Sequence, residues 1–128
     1  MNTKFKKQPI DEGIEKRDDL YYLIGTDTLF TGTFQDYWDS GDPKGYYEIK
    51  DGKLHGTLKI FWTNGELSFI SKFKEGLAHG YNHGYHKNGK LWFSNHYENG
   101  ELDGLSENFD ENGELLTREI FKQGKRVN

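Results

Sequence analysis

Four histidines fall close together, at His79, His83, His86 and His96. His79 and His83 are spaced i, i+4, and on a helix that spacing puts two imidazoles on one face, within reach of a single zinc ion. Carboxylates also come in pairs, as at Asp18-Asp19 and at Glu98 with Glu101. Two carboxyl groups do acid–base work when a cleft holds them at a defined separation. Neither reading has chemical content until the backbone that carries these residues is known.

Glycine settles the backbone. Asn64-Gly65, Asn88-Gly89 and Asn112-Gly113 recur every 24 residues, and Ser40-Gly41 holds the same place one period earlier. A second series runs through Gly32, Gly56, Gly80 and Gly104, and a third through Gly52, Gly76, Gly100 and Gly124. Three glycine series with one period identify a tandem repeat. The units are 25–48, 49–72, 73–96 and 97–120, with 121–128 beginning a fifth. Turn signals alternate along them, and strands joined by such short links cannot be parallel. The expected fold is all-β: an elongated antiparallel β-meander of tandem 24-residue β-hairpin repeats, forming a single twisted sheet. Four units of two strands would extend about 40 Å across the sheet.

On a strand, His79 and His83 lie about 13 Å apart, whereas zinc needs every ligand nitrogen within about 2.1 Å. His79 and His55 also share a repeat position with Asp103, so the histidines read as variable surface residues and no metal is expected. The carboxylates read as solubilising edges. No Gly-x-Gly-x-x-Gly, P-loop or Ser/His/Asp set is present, and the chain has no cysteine. No catalytic residue and no cofactor is expected, and the chain is not read as an enzyme. A net charge of −4 argues against nucleic-acid binding. Basic residues cluster only at Lys4, Lys6, Lys7 and at Lys122, Lys125, Arg126, which makes a membrane partner a weak reading.

If Asn64-Gly65 forms a two-residue turn, Gly56 faces Phe73, Gly80 faces Tyr97, Gly104 faces Phe121 and Gly32 faces Ile49. A ring lying across a strand glycine would explain the recurrence. That register separates Phe61 from Leu67, and a three-residue turn would reunite them; the sequence leaves this open. In the first register Leu54, Leu67 and Phe73 share a face with Phe34, Trp38, Leu58, Ile60, Trp62 and Phe69. The last six are the candidate partner-binding residues, with Phe34, Trp38 and Trp62 as the expected centre. The matching positions turn polar later, as Asn82, Gly84 and His86, then Ser106, Asn108, Asp110 and Thr117. Such an apolar patch is either covered by the N-terminal residues or docks another protein.

Residues 1–19 read as a polar arm with a short turn around Asp11–Lys16, held by Phe5, Ile10 and Ile14; residues 20–128 read as the repeat domain. Leu20–Ile24 and Leu29–Phe34 are expected to pair as the hairpin leading into the array. No secretory signal and no membrane span are visible, so the expected location is the cytoplasm.

Lys50-Asp51-Gly52-Lys53-Leu54-His55-Gly56 through Trp62-Thr63-Asn64-Gly65-Glu66-Leu67 resembles the MORN-variant repeat of bacterial YwqK-type antitoxins, as does Tyr97-Glu98-Asn99-Gly100-Glu101-Leu102-Asp103-Gly104. The lead-in Asp19–Leu23, followed by Phe30-Thr31-Gly32, looks similar too. The resemblance implies a non-catalytic scaffold that binds another protein, a toxin or effector in its specific form. The alternative it implies is a structural or membrane-associated MORN-like scaffold.

Overall fold

The computed structural model describes residues 13–128, so Phe5, Ile10 and the Lys4, Lys6 and Lys7 cluster lie outside the described residues. Among the described residues every regular element is a strand. Two short strands, β1 (Ile14–Arg17) and β2 (Leu20–Leu23), form a separate hairpin. Ten others make one sheet: β3 (Gly32–Tyr37), β4 (Pro43–Lys50), β5 (Lys53–Phe61), β6 (Leu67–Lys74), β7 (Leu77–Tyr85), β8 (Leu91–Glu98), β9 (Glu101–Leu102), β10 (Gly104–Phe109), β11 (Leu115–Lys122) and β12 (Lys125–Arg126). Each lies antiparallel beside its sequence neighbour; β9 and β10 are two halves of one strand, interrupted at Asp103, and both pair β8. The expected single-sheet meander is the observed one.

The register answers the question that the sequence leaves open, and both alternatives hold in different parts of a unit. Along the strands Gly56 pairs Phe73, Gly80 pairs Tyr97, Gly104 pairs Phe121 and Gly32 pairs Ile49. Near the tip the register shifts, so that Phe61 pairs Leu67, Tyr85 pairs Leu91 and Phe109 pairs Leu115. Ser68 is then the extra residue of a bulge on β6. Directly opposed residues share a face, so Leu67 belongs with Phe61 and not with Phe73.

At Asn64-Gly65 the three-residue alternative holds. Asn64 keeps φ below zero and only Gly65 is left-handed. The Gly65 N–H donates to the Trp62 carbonyl at 2.9 Å, which closes a three-residue loop. Asn64 Oδ1 accepts the Glu66 N–H at 2.9 Å, and that local bond holds the asparagine. The two-residue type I′ turns lie at the other ends of the strands. Asp51 and Gly52 have φ of 50° and 81°, and Glu75-Gly76, Asn99-Gly100 and Gln123-Gly124 repeat the pattern.

Those type I′ turns dock on the preceding unit. The N–H groups of Gly52, Gly76, Gly100 and Gly124 donate to the carbonyls of Phe30, Leu54, Ala78 and Leu102 at 2.8 Å each. The amide of the preceding residue finds a side chain. Asp51 N–H donates to Thr31 Oγ1 at 2.8 Å, Glu75 N–H to His55 Nδ1 at 3.1 Å, Asn99 N–H to His79 Nδ1 at 3.4 Å and Gln123 N–H to Asp103 Oδ1 at 3.1 Å. The repeat position read as variable surface is therefore an acceptor position that Thr, His and Asp can all fill.

One expected contact is absent. A Cβ on Gly80 would meet Lys72, not the ring of Tyr97. Gly80 is needed for its backbone, at φ 105°, where the strand bulges. Rings cover other glycines instead: Phe93 lies on Gly84 and Phe30 on Gly32.

The core sits at the N-terminal end. Ile14, Tyr21, Phe34, Tyr47 and Ile49 are buried, with Phe30, Leu54, Leu58 and Ile60 packed on them. Phe34 has no exposed surface; Tyr47 stacks on it at 4.6 Å and Tyr21 meets it at 5.6 Å. The hairpin that supplies Ile14 and Tyr21 starts inside the residues read as a loose arm. Its turn is Asp18-Asp19, both at positive φ, and lacks the glycine that would have marked it. The expected pairing of Leu20–Ile24 with Leu29–Phe34 reduces to a single bridge, Tyr22 to Leu29.

Asp36 lies buried beside this core, 3.4 Å from the Tyr47 hydroxyl, which donates to its carboxylate. Burial raises its carboxyl above the ordinary value of 3.8, against the lowering pull of Lys44 and the Tyr47 hydroxyl. The fold then holds that proton more tightly than the unfolded chain, so stability falls as pH rises from 3.8 through the raised value. Asp36→Asn is expected to melt about 2–5 °C higher than the parent at pH 7, with the difference vanishing below about pH 4. Equal gains at both pH values in a calorimetric scan would refute the assignment.

Candidate interaction surface

Strand alternation assigns the sheet two faces. One carries Phe34, Tyr47, Leu58, Phe69 and Phe93 and lies under the β1–β2 hairpin at its N-terminal end. Its central row runs Phe34, Tyr47, Leu58, Ser71, Asn82, Asn95 and Ser106. The row is apolar under the hairpin and polar beyond it; Ser71, Asn82 and Ser106 are all buried. Ser106 Oγ donates to Asn95 Oδ1 at 2.6 Å.

The six candidate binding residues are not one surface. Phe34 is fully buried and offers nothing to a partner. Leu58 and Ile60 are partly buried against the same core. Phe69 is half-buried and meets Phe93 at 6.1 Å. Trp62 lies just past the end of β5, beside His86 and Trp92. Trp38, one unit earlier, is half-buried with the Lys44 ammonium 5.0 Å from its ring centre.

The histidines separate as the strand geometry requires. The Nε2–H of His86 donates to the Phe109 carbonyl at 2.9 Å, the same contact that the Trp62 indole makes to Tyr85 one unit earlier. A carbonyl only accepts, so the proton must be on Nε2. His96 donates through Nδ1 to the Asp103 carbonyl at 2.8 Å, and Tyr81 meets its ring edge-on at 4.8 Å. Among the described residues no group of three or more His, Asp or Glu could hold a metal.

The opposite face carries what the sequence reading missed. In its first half it is polar: Tyr46 donates to Glu48 at 2.8 Å, the Thr57 N–H donates to the same carboxylate at 2.6 Å, and Lys72 donates to Thr57 Oγ1 at 2.9 Å. The Thr57 N–H, the Tyr46 hydroxyl and nearby lysines hold the Glu48 carboxyl below its usual range, against a smaller opposing effect of burial. In its second half this face is apolar and open. Tyr81 is 63 % exposed, and Leu105 and Ile120 each 44 %. Leu105 pairs Ile120 across β10 and β11, and Tyr81 pairs His96 across β7 and β8. The fading of apolar residues toward the C-terminus belongs to the hairpin-covered face alone. Alternation on the other parity was the signal available for the rest.

Fold and surface together define a single-sheet β-hairpin repeat protein. The family model described as MORN repeat variant matches residues 54–75 and 102–123. The two matches start two repeat lengths apart, and the unmatched unit between them has the same strands, turns and docking bonds. No curated protein matches the chain. Among the described residues no helix is long and apolar enough to cross a membrane.

Proposed function

We propose that this protein is a non-catalytic repeat scaffold that binds another protein through the open apolar face of its third and fourth units. One observation carries the reading. Tyr81, Leu105 and Ile120 are exposed together on one face, while the opposite face holds the hairpin-covered core. Exposed apolar side chains in one region mark contact surfaces, and aromatic residues concentrate binding energy there. Neutralising a toxin or effector in the cytoplasm is the specific form suggested by the resemblance to YwqK-type proteins.

The test replaces Tyr81 and Leu105, which line one shallow surface, together by serine. Both are exposed, so stability should change by about 0.5 kcal/mol or less per site. Partners captured by cross-linking in the native host and identified by mass spectrometry should be lost from this variant and kept by Trp38→Ala. An unchanged set of cross-linked partners would sink the proposal. Pelleting of the parent with lipid vesicles, abolished by the same double change, would favour the membrane-associated scaffold instead.

A further inference from the structure

Trp62, His86, Lys87, Trp92 and Glu111 line a shallow, open groove of about 370 Å³ at the hairpin tips of the second, third and fourth units. Its walls are fixed. The Trp62 indole N–H donates to the Tyr85 carbonyl at 3.2 Å, and His86 donates to the Phe109 carbonyl at 2.9 Å. The His86 ring lies on Trp92 at 5.1 Å and 19°, nearly parallel. The N–H groups of Trp62 and His86 that could contact a ligand are thus already used, and these rings present their π faces. One cation already occupies the groove: the Lys87 ammonium stands 5.5 Å from the Trp62 ring centre. Glu111 contributes a carboxylate to the same wall.

We propose that this groove binds a small trimethylammonium compound, independently of any protein partner. The negative face of an aromatic ring attracts a cation, tryptophan most strongly. A sugar needs hydrogen-bond partners for its hydroxyls, and here the N–H donors of Trp62 and His86 are spent on backbone carbonyls. A trimethylammonium group has no N–H to satisfy and requires only π faces and a counter-charge. Lys87 is the resident competitor, so its removal should help the ligand.

The intact protein is titrated with choline chloride at constant ionic strength, following the indole N–H signals of the tryptophans by NMR. The Trp62 and Trp92 signals should shift saturably. The Trp38 signal should stay, because Ser68 stands to Trp38 where Trp92 stands to Trp62. The neutral isostere 3,3-dimethyl-1-butanol should bind at least about tenfold more weakly, since it keeps the shape and loses the charge. Lys87→Met should tighten choline binding severalfold, and Glu111→Gln should weaken it. Equal affinity for the isostere, unchanged affinity in Lys87→Met, or no saturable shift in either the parent or Lys87→Met would overturn the proposal.

Discussion

Phe34→Ala should lower the stability of the protein by about 3–5 kcal/mol, the range for emptying a buried phenylalanine site. Phe34 is the largest side chain with no exposed surface, and it is the point where the hairpin and the sheet meet. Tyr21 approaches it from the hairpin, Tyr47 from the neighbouring strand and Phe30 from the link between them. Little else is buried: five apolar residues make up the core among the described residues. A small domain has about 5–15 kcal/mol of total stability, so this one truncation should remove a large share of it. Phe69→Ala, on the same face but half-buried, should cost less than half as much. Urea unfolding followed by circular dichroism compares the two directly. A loss below about 1 kcal/mol for Phe34→Ala would mean that the hairpin does not close over the sheet.

The second large effect is expected at Gly84, whose φ is ordinary and whose constraint is purely steric. A Cβ there would collide with the Phe93 ring, which reaches over the glycine from its partner position on β8. Gly84→Val must push that ring aside, at about 1–3 kcal/mol for overpacking. The cause can be isolated by a double change. In a Phe93→Ala background the valine meets no ring, so its cost should largely disappear, giving a coupling energy within the 0.5–3 kcal/mol seen for contacting residues. Additive losses would show that backbone conformation, and not the ring, reserves this position for glycine.

The repeat was legible because its constraints are backbone constraints. Glycines at a fixed period can be read from letters alone, and they placed the strands, the antiparallel order and the pairing of Gly56 with Phe73. The turn types stayed open because Asn-Gly is ambiguous. The pair serves a type I′ turn, but an asparagine whose carboxamide binds the next-but-one amide serves a glycine bulge equally well. The hairpin over the core was hidden because Asp18-Asp19 takes positive φ without glycine. The facing of the apolar residues was misjudged for a related reason. A single bulged residue such as Ser68 moves what lies beyond it on its strand out of phase, so Leu67 moved from the company of Phe73 to that of Phe61. The repeat position shared by Thr31, His55, His79 and Asp103 shows a different limit. Chemically unlike residues perform one task there, and similarity of letters could not reveal it.

The bonds that dock each type I′ turn run in one direction. Every unit lends a carbonyl and a side-chain acceptor to the unit that follows, beginning with Phe30 and Thr31 beside the hairpin. The arrangement is like growth of a crystal from a seed. The hairpin and first unit fix the phase, and each later unit adds to a template already in place. A block of 24 residues inserted or removed between units would restore the same donors to the same acceptors, whereas a block of any other length would not. The period seen in the sequence is therefore a lattice constant, and the array can change length only in whole steps of it.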